Sequence, residues 1–147
     1  MERFKIRPAS PNDARAISEL SRDLGYPGTV KAFRERLRSL LGRDDQCVVV
    51  AEAPDGSVCG WLQVHRSVAL GTGLRVEIIG LIVADSMRRK GVGRLLVAQA
   101  EAWASETADG TIVVRSNQSR LESHAFYPSL GYQPSKTQGV YRKRVVI

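Results

Sequence analysis

With 147 residues, 43% of them hydrophobic and 25% charged, the chain has the size and composition of one globular domain. No apolar run approaches the ~20 residues that a membrane-spanning helix needs. Met1-Glu2-Arg3-Phe4-Lys5 is not followed by the apolar stretch of a secretory signal, so a single cytoplasmic domain over 1–147, with no membrane partner, is the expectation. The net charge is +7, yet Arg88, Arg89, Lys90 and Arg94 crowd into one short stretch. Such a cluster points to one specific anion, and no nucleic-acid partner is expected.

In chain order, residues 4–7 read as a short strand. Ser10-Pro11-Asn12-Asp13 is a helix start: serine caps, proline suits the first turn, and aspartate complements the positive end. Ile17, Leu20 and Leu24 share a helical face that Gly25 can end, and a second helix is predicted over 29–41. Residues 47–53 form a strand, Pro54-Asp55-Gly56-Ser57 turns the chain, and 58–68 returns as the hairpin partner. The nearly unbroken apolar run over 74–83 predicts a strand buried on both faces. A helix opens near 91–94 and runs to about 108. Asp109-Gly110 leads into a strand at 111–115. Ser119-Arg120-Leu121-Glu122 has capping-box spacing for a short helix that Gly131 ends. Residues 132–135 and 140–146 are the last strand candidates, the latter as a solvated edge rich in Arg and Lys. Strands alternating with helices argue for an α/β domain with a mixed sheet.

Cys47 and Cys59 lack partners at zinc-ligand spacing and read as buried, reduced thiols, so no metal is expected. His65 and His124 fit no triad pattern and read as structural or surface groups. Trp61 and Trp103 read as core or interface residues.

The chemistry concentrates where the 74–83 strand leads into Arg88-Arg89-Lys90-Gly91-Val92-Gly93-Arg94 and then a long amphipathic helix. The first helical N–H groups have no intrahelical acceptor, and the helix dipole is positive there. Glycines remove the Cβ atoms that would hold a phosphate off the backbone, and the cations add charge, so the turn is an anion site. It is not a P-loop, because no Gly-Lys-Ser/Thr follows. The dinucleotide fingerprint is incomplete too, since position 96 is Leu96.

Here the sequence resembles the GCN5-related N-acetyltransferases. Their pyrophosphate motif, Gln/Arg-x-x-Gly-x-Gly/Ala, is matched by Arg88-Arg89-Lys90-Gly91-Val92-Gly93. Their second signature is matched by Asn117 and by Phe126-Tyr127-Pro128-Ser129-Leu130-Gly131-Tyr132. The resemblance implies a mixed, mostly antiparallel sheet of about seven strands with helices on both faces. Its central strands would splay to admit the pantetheine arm of acetyl-CoA, the cosubstrate. By the same resemblance, Leu81, Ile82 and Val83 line that arm, with backbone groups of Leu81 and Val83 bonding it. Backbone amides across the glycine turn hold the pyrophosphate, and Asn117, Phe126 and Tyr127 contact the coenzyme from the later elements.

The implied reaction is direct attack of a primary amine, on a small molecule or a peptide, upon the thioester. At pH 7 a lysine-like amine with pKa ~10.4 is neutral in only about one molecule in 2,500, so a base is worth finding. Glu77 is the one ionisable residue in the run 76–83 and matches a strand position where some family members carry a glutamate base. A carboxylate there should face a cleft, a partner or solvent. Tyr127 matches the family's general acid, although phenol-to-thiolate transfer runs uphill by roughly 2 kcal/mol. Pro128 disfavours helical geometry at Tyr127 and departs from a regular helix there. The alternative is a non-catalytic acyl-CoA-binding module on the same fold. Family members are often dimers, so a homodimer is also an expectation.

Overall fold

The computed structural model describes residues 3–23, 25–106, 110–115 and 121–146, the side chains of 121–124 excepted. Its contacts group into two compact units, Met1–Arg115 and Ser116–Ile147. The first unit carries β1 (Lys5–Pro8), α1 (Ala14–Arg22), α2 (Val30–Leu40), β2 (Gln46–Glu52), β3 (Val58–Ala69), β4 (Gly73–Val83), α3 (Val92–Ala104) and β5 (Ile112–Val114). The second carries α4 (Leu121–Ser129).

The strands lie in sequence order, β1-β2-β3-β4-β5. Neighbours are antiparallel as far as β4, and β5 pairs with β4 in parallel. The α/β class and the mostly antiparallel pairing match the expectation. The strand count does not: five strands stand among the described residues instead of about seven. Residues 132–135 and 140–146 are without strand structure. Val140, Tyr141, Val145 and Val146 are strand formers by type yet stand exposed. Strand propensity expresses a fit to a pleated, half-buried surface, and no described strand pairs with this segment.

α1 and α2 cover one face of the sheet, where Ala14, Ile17, Phe33 and Leu37 form a buried cluster with Val48 and Val50. α3 covers the other. A Cβ placed on Gly60 would lie 3.2 Å from Leu96 and 3.5 Å from Val92, so the glycine lets the helix sit close against β3. Gly80 has a similar cause on the α1 face. A Cβ there would fall 2.6 Å from the Trp61 indole, whose Nε1 donates to Ser21 Oγ on α1 at 3.2 Å.

The 3-10 turn Pro11–Asp13 that leads into α1 is secured by its own side chains. Ser10 Oγ accepts from the Asn12 N–H (3.2 Å), and the Asp13 carboxylate accepts from the Ser10 N–H (2.8 Å). Arg7 grips the same carboxylate with two bonds of 2.9 Å and reaches Glu52 at 2.5 Å. These Arg7 bonds hold the Asp13 carboxyl below its ordinary range and raise the arginine. Both cysteines are free, and burial pushes both thiols up, so neither is a ready nucleophile.

Candidate functional site

β4 changes character half-way along. Over 76–78 it is flanked by β3 on one side and by β5 on the other, through Val76–Ile112, Glu77–Val113 and Ile78–Val114. Among the described residues no strand pairs with it on the β5 side after Ile78. The register against β3 slips at the same place: Val64 faces Ile78 and Gln63 faces Gly80, which leaves Ile79 as the extra residue of a bulge. The expectation of burial on both faces is corrected accordingly. Leu74, near the hairpin tip, is 47% exposed and Ile79, at the bulge, is 45% exposed.

Beyond the bulge the hydrogen-bond phase can be read from the end of the strand. The Ala84 N–H donates to the Cys59 carbonyl at 2.8 Å, and Val83 faces Gly60. Paired groups alternate along an antiparallel ladder. The main-chain groups of Ile82 therefore turn toward β3. Those of Leu81 and Val83 turn toward the edge that no described strand pairs with, where a peptide-like chain can take them up.

The chain then runs through a 3-10 turn at Asp85–Met87 into the glycine turn. Arg89 (φ 66°) and Gly91 (φ 85°) both adopt left-handed backbone, a geometry that glycine tolerates and that costs an arginine strain. Gly91 caps α3, and the Leu95 N–H closes the first turn on the Gly91 carbonyl at 3.1 Å. The N–H groups of Val92, Gly93 and Arg94 thus have no acceptor within the helix. Among the described residues no side chain caps them and no acidic side chain occupies the first turn. A Cβ on Gly91 would meet nothing within 4 Å, so the space above the turn is open. Val92 is buried and anchors the helix start. Arg88, Arg89, Lys90 and Arg94 are exposed around it, with Arg88 bonded to Asp85 at 3.0 Å. Bare amides, the positive end of a dipole, four cations and an open cradle fit a diphosphate.

Glu77 lies on the sheet face that α1 also packs against, and it is only 6% exposed. Of the three settings open to its carboxylate, the structure selects a partner. Arg115 Nη1 donates to Oε2, and His65 Nε2 stands 4.0 Å from Oε1. Neither neighbour was identified with Glu77 from the sequence. His65 meets it because β3 and β4 pair His65 with Glu77. Arg115 meets it because β5 runs parallel with Val113 beside Glu77, which puts position 115 on the same face. The only signal was the parity of β5, and it becomes readable once the register is known.

In the second unit, Pro128 does not interrupt the helix as the sequence suggested. α4 continues through it to Ser129, because a proline in the last turn forfeits one bond only. The Leu130 and Tyr132 N–H groups both donate to the Tyr127 carbonyl, at 3.0 and 3.1 Å, and Gly131 (φ 93°) provides the left-handed exit. The Tyr127 ring meets Phe126 and Tyr132 edge-on, with centroids 5.0 and 5.8 Å apart. Asn117 and the side chain of His124 lie outside the described residues.

A model of the Acetyltransferase (GNAT) family matches residues 14–132. The chain belongs to this family. As a GNAT protein it is an acetyltransferase, with acetyl-CoA as cosubstrate and an amine as acceptor. It is 26% identical over 141 residues to the aminoglycoside N(6')-acetyltransferase type 1 of Stenotrophomonas maltophilia, a match covering 93% of this chain and 91% of that one. Its fold resembles an aminoglycoside N-acetyltransferase solved in complex with CoA, with a TM-score of 0.86 at 20% identity, covering 99% and 97% of the two chains. It also resembles the glucosamine-6-phosphate N-acetyltransferase of Arabidopsis thaliana, with a TM-score of 0.82 at 21% identity over 95% and 98%. No helix among the described residues is long and apolar enough to cross a membrane.

Proposed function

We propose that this GNAT protein acetylates the primary amine of a small molecule by direct attack, with the coenzyme laid along β4 and over the start of α3. The observation that carries the reading is continuity. The edge on which Leu81 and Val83 present their main-chain groups leads, through the turn at Asp85–Met87 and the glycine turn, into the bare amides of Val92, Gly93 and Arg94. A ligand with an amide-bearing arm ending in a diphosphate matches both halves. Ile82 keeps that stretch of β4 anchored by its burial, while Arg88, Arg89, Lys90 and Arg94 supply counter-charge around Gly91 and Gly93. Asn117, Phe126 and Tyr127 complete the proposed coenzyme contacts.

Bound acetyl-CoA supplies the activated thioester. By this reading the Leu81 N–H would polarise its carbonyl oxygen, an effect that in comparable oxyanion sites is worth about 10²–10³ in rate. Glu77 is the proposed base. It sits one residue before the last β4 residue that pairs with β5 and four before Leu81, and its carboxylate is the one acid in this stretch of β4. Tyr127 is the proposed acid, returning a proton to the departing sulfur from its phenol. Relatives named aminoglycoside N(6')-acetyltransferases act on small-molecule amines, which supports the same class here. The reading keeps three further expectations: a cytoplasmic location, no nucleic-acid partner, and a homodimer, the last checked by sedimentation.

The test is thiol release from acetyl-CoA against a panel of amines. Release should depend on the amine and should fall by about 10²-fold or more in Glu77→Gln, the scale of a lost general base. Tyr127→Phe should lower kcat more than it raises the KM for acetyl-CoA. Tight CoA binding without thiol release for any amine would overturn the proposal.

A further inference from the structure

The charge around Glu77 narrows the acceptor. This step rests on the reading above, in which Glu77 marks the amine end of the site. The register sets Gln63, His65 and Ser67 of β3 beside Gly80, Glu77 and Arg75 of β4, all on one face of the sheet. Position 115, two beyond Val113, joins the same face. This group holds one carboxylate against two guanidiniums and an imidazole.

The single carboxylate is already engaged. Arg115 occupies Oε2, and His65 stands 4.0 Å from Oε1. The guanidinium, by contrast, has donors to spare. It offers five N–H groups, and the Arg115 side chain is 56% exposed while reaching Glu77 through Nη1. Arg75 is half-buried and has neither an ion pair nor a hydrogen bond among the described residues. The pocket face therefore carries surplus positive charge and two forks that suit carboxylate or phosphate geometry. A polycationic acceptor would approach two fixed like charges, with the one carboxylate of this group shared with Arg115 and with Asp45, the described acid beside His65, bonded to Arg43.

We propose that the acceptor is a small amine that also carries an anionic group, held by Arg75 and Arg115 while its amine lies at Glu77. The spacing supports a compact molecule. Alternate residues on one strand face are about 6.6 Å apart, so an anion at Arg75 and an amine at Glu77 are a few bonds from each other. In this respect the chain departs from relatives whose names specify aminoglycosides, which are polycations.

The experiment measures kcat/KM for thiol release by the full chain with matched acceptors. 5-Aminovalerate is set against pentylamine, and glucosamine 6-phosphate against glucosamine, so that carboxylate and phosphate are tested separately. Neamine serves as the polycation. The anionic member of at least one pair should be preferred by about tenfold or more, the scale of one charge-assisted contact. Its KM should rise with added salt, as an attraction between exposed charges requires. Arg75→Gln should pull the charged-to-neutral ratio toward unity, and Arg75→Lys should restore part of it. Preference for neamine or for the neutral members overturns the inference but leaves the acetyltransferase reading intact. An unchanged ratio in a folded Arg75→Gln overturns it as well. Should that variant fail to fold, the salt response of the unaltered protein decides, and a KM indifferent to salt counts against the proposal. Absence of release with every amine removes the activity itself.

Discussion

The 3-10 turn Pro11–Asp13 that leads into α1 and the start of α3 begin in opposite ways. Ahead of α1 the chain supplies its own acceptors. Ser10 and Asp13 take up backbone N–H groups, and Arg7 locks the aspartate in place with two hydrogen bonds. At α3 the cap is Gly91, no side chain of the described residues accepts from the first turn, and the surrounding charges are cations. Both ends have the same unsatisfied amides and the same positive dipole. The first end satisfies them internally and gains stability; the second leaves them for a ligand and gains affinity. Changing residues at the two ends should therefore separate folding from binding.

The largest effect is expected from Gly91→Val. Valine at φ 85° is strained by about 1–3 kcal/mol, and its branched side chain enters the space above the amides. CoA affinity by calorimetry should fall about 100-fold, near 3 kcal/mol, with a smaller loss of stability. Retained affinity would remove the diphosphate from this turn. Asp13→Asn should do the reverse. It keeps the shape but removes the charge that Arg7 holds, costing about 2 kcal/mol of stability by denaturant titration, with the KM for acetyl-CoA unmoved. The pH dependence follows from the direction of the shift. The folded Asp13 carboxyl lies below its ordinary value, so its contribution is present above about pH 4 and is lost as the pH falls through the folded value. The unaltered protein should lose stability in that acid window more steeply than Asp13→Asn.

Much of this contrast was legible in the sequence. Ser10-Pro11-Asn12-Asp13 announces a capped start because those residue types have few other reasons to be adjacent there. Gly91 and Gly93 among cations announce an open one. The order of elements followed for the same local reasons. What escaped was set by pairing. The apolar run at 74–83 reads as uniformly buried, because composition does not encode that β5 stops at Val114 or that Ile79 is extruded in a bulge. Gly80 looks arbitrary until Trp61 is found over it, and Glu77 looks isolated until two strands bring His65 and Arg115 to it. The 140–146 tail shows the converse: residues with strand propensity suggest a strand, but such a segment forms one only where there is an edge to join.

A smaller effect tests whether the cap ahead of α1 acts only on folding. Ser10→Ala removes one acceptor at a start that Asp13 and Arg7 still hold, so about 1 kcal/mol of stability should go, with no change in acetyl-CoA kinetics. A shift in KM would mean that the two helix starts are coupled.

The smallest effect concerns the cations at the other end. Arg94 sits in the first turn of α3 and is exposed, so water and salt screen whatever it contributes. One exposed charge near a bound diphosphate is worth about 0.3–1 kcal/mol at low ionic strength, or roughly a two- to fivefold rise in the KM for acetyl-CoA in Arg94→Gln. That rise should shrink as salt brings the Debye length from about 10 Å toward 3 Å. The Gly91→Val defect should persist, because it is steric and acts on fixed amides. If Arg94→Gln instead matched Gly91→Val in size and ignored salt, the cradle would depend on the arginine side chain more than on the backbone, and the contrast between the two helix starts would need a different cause.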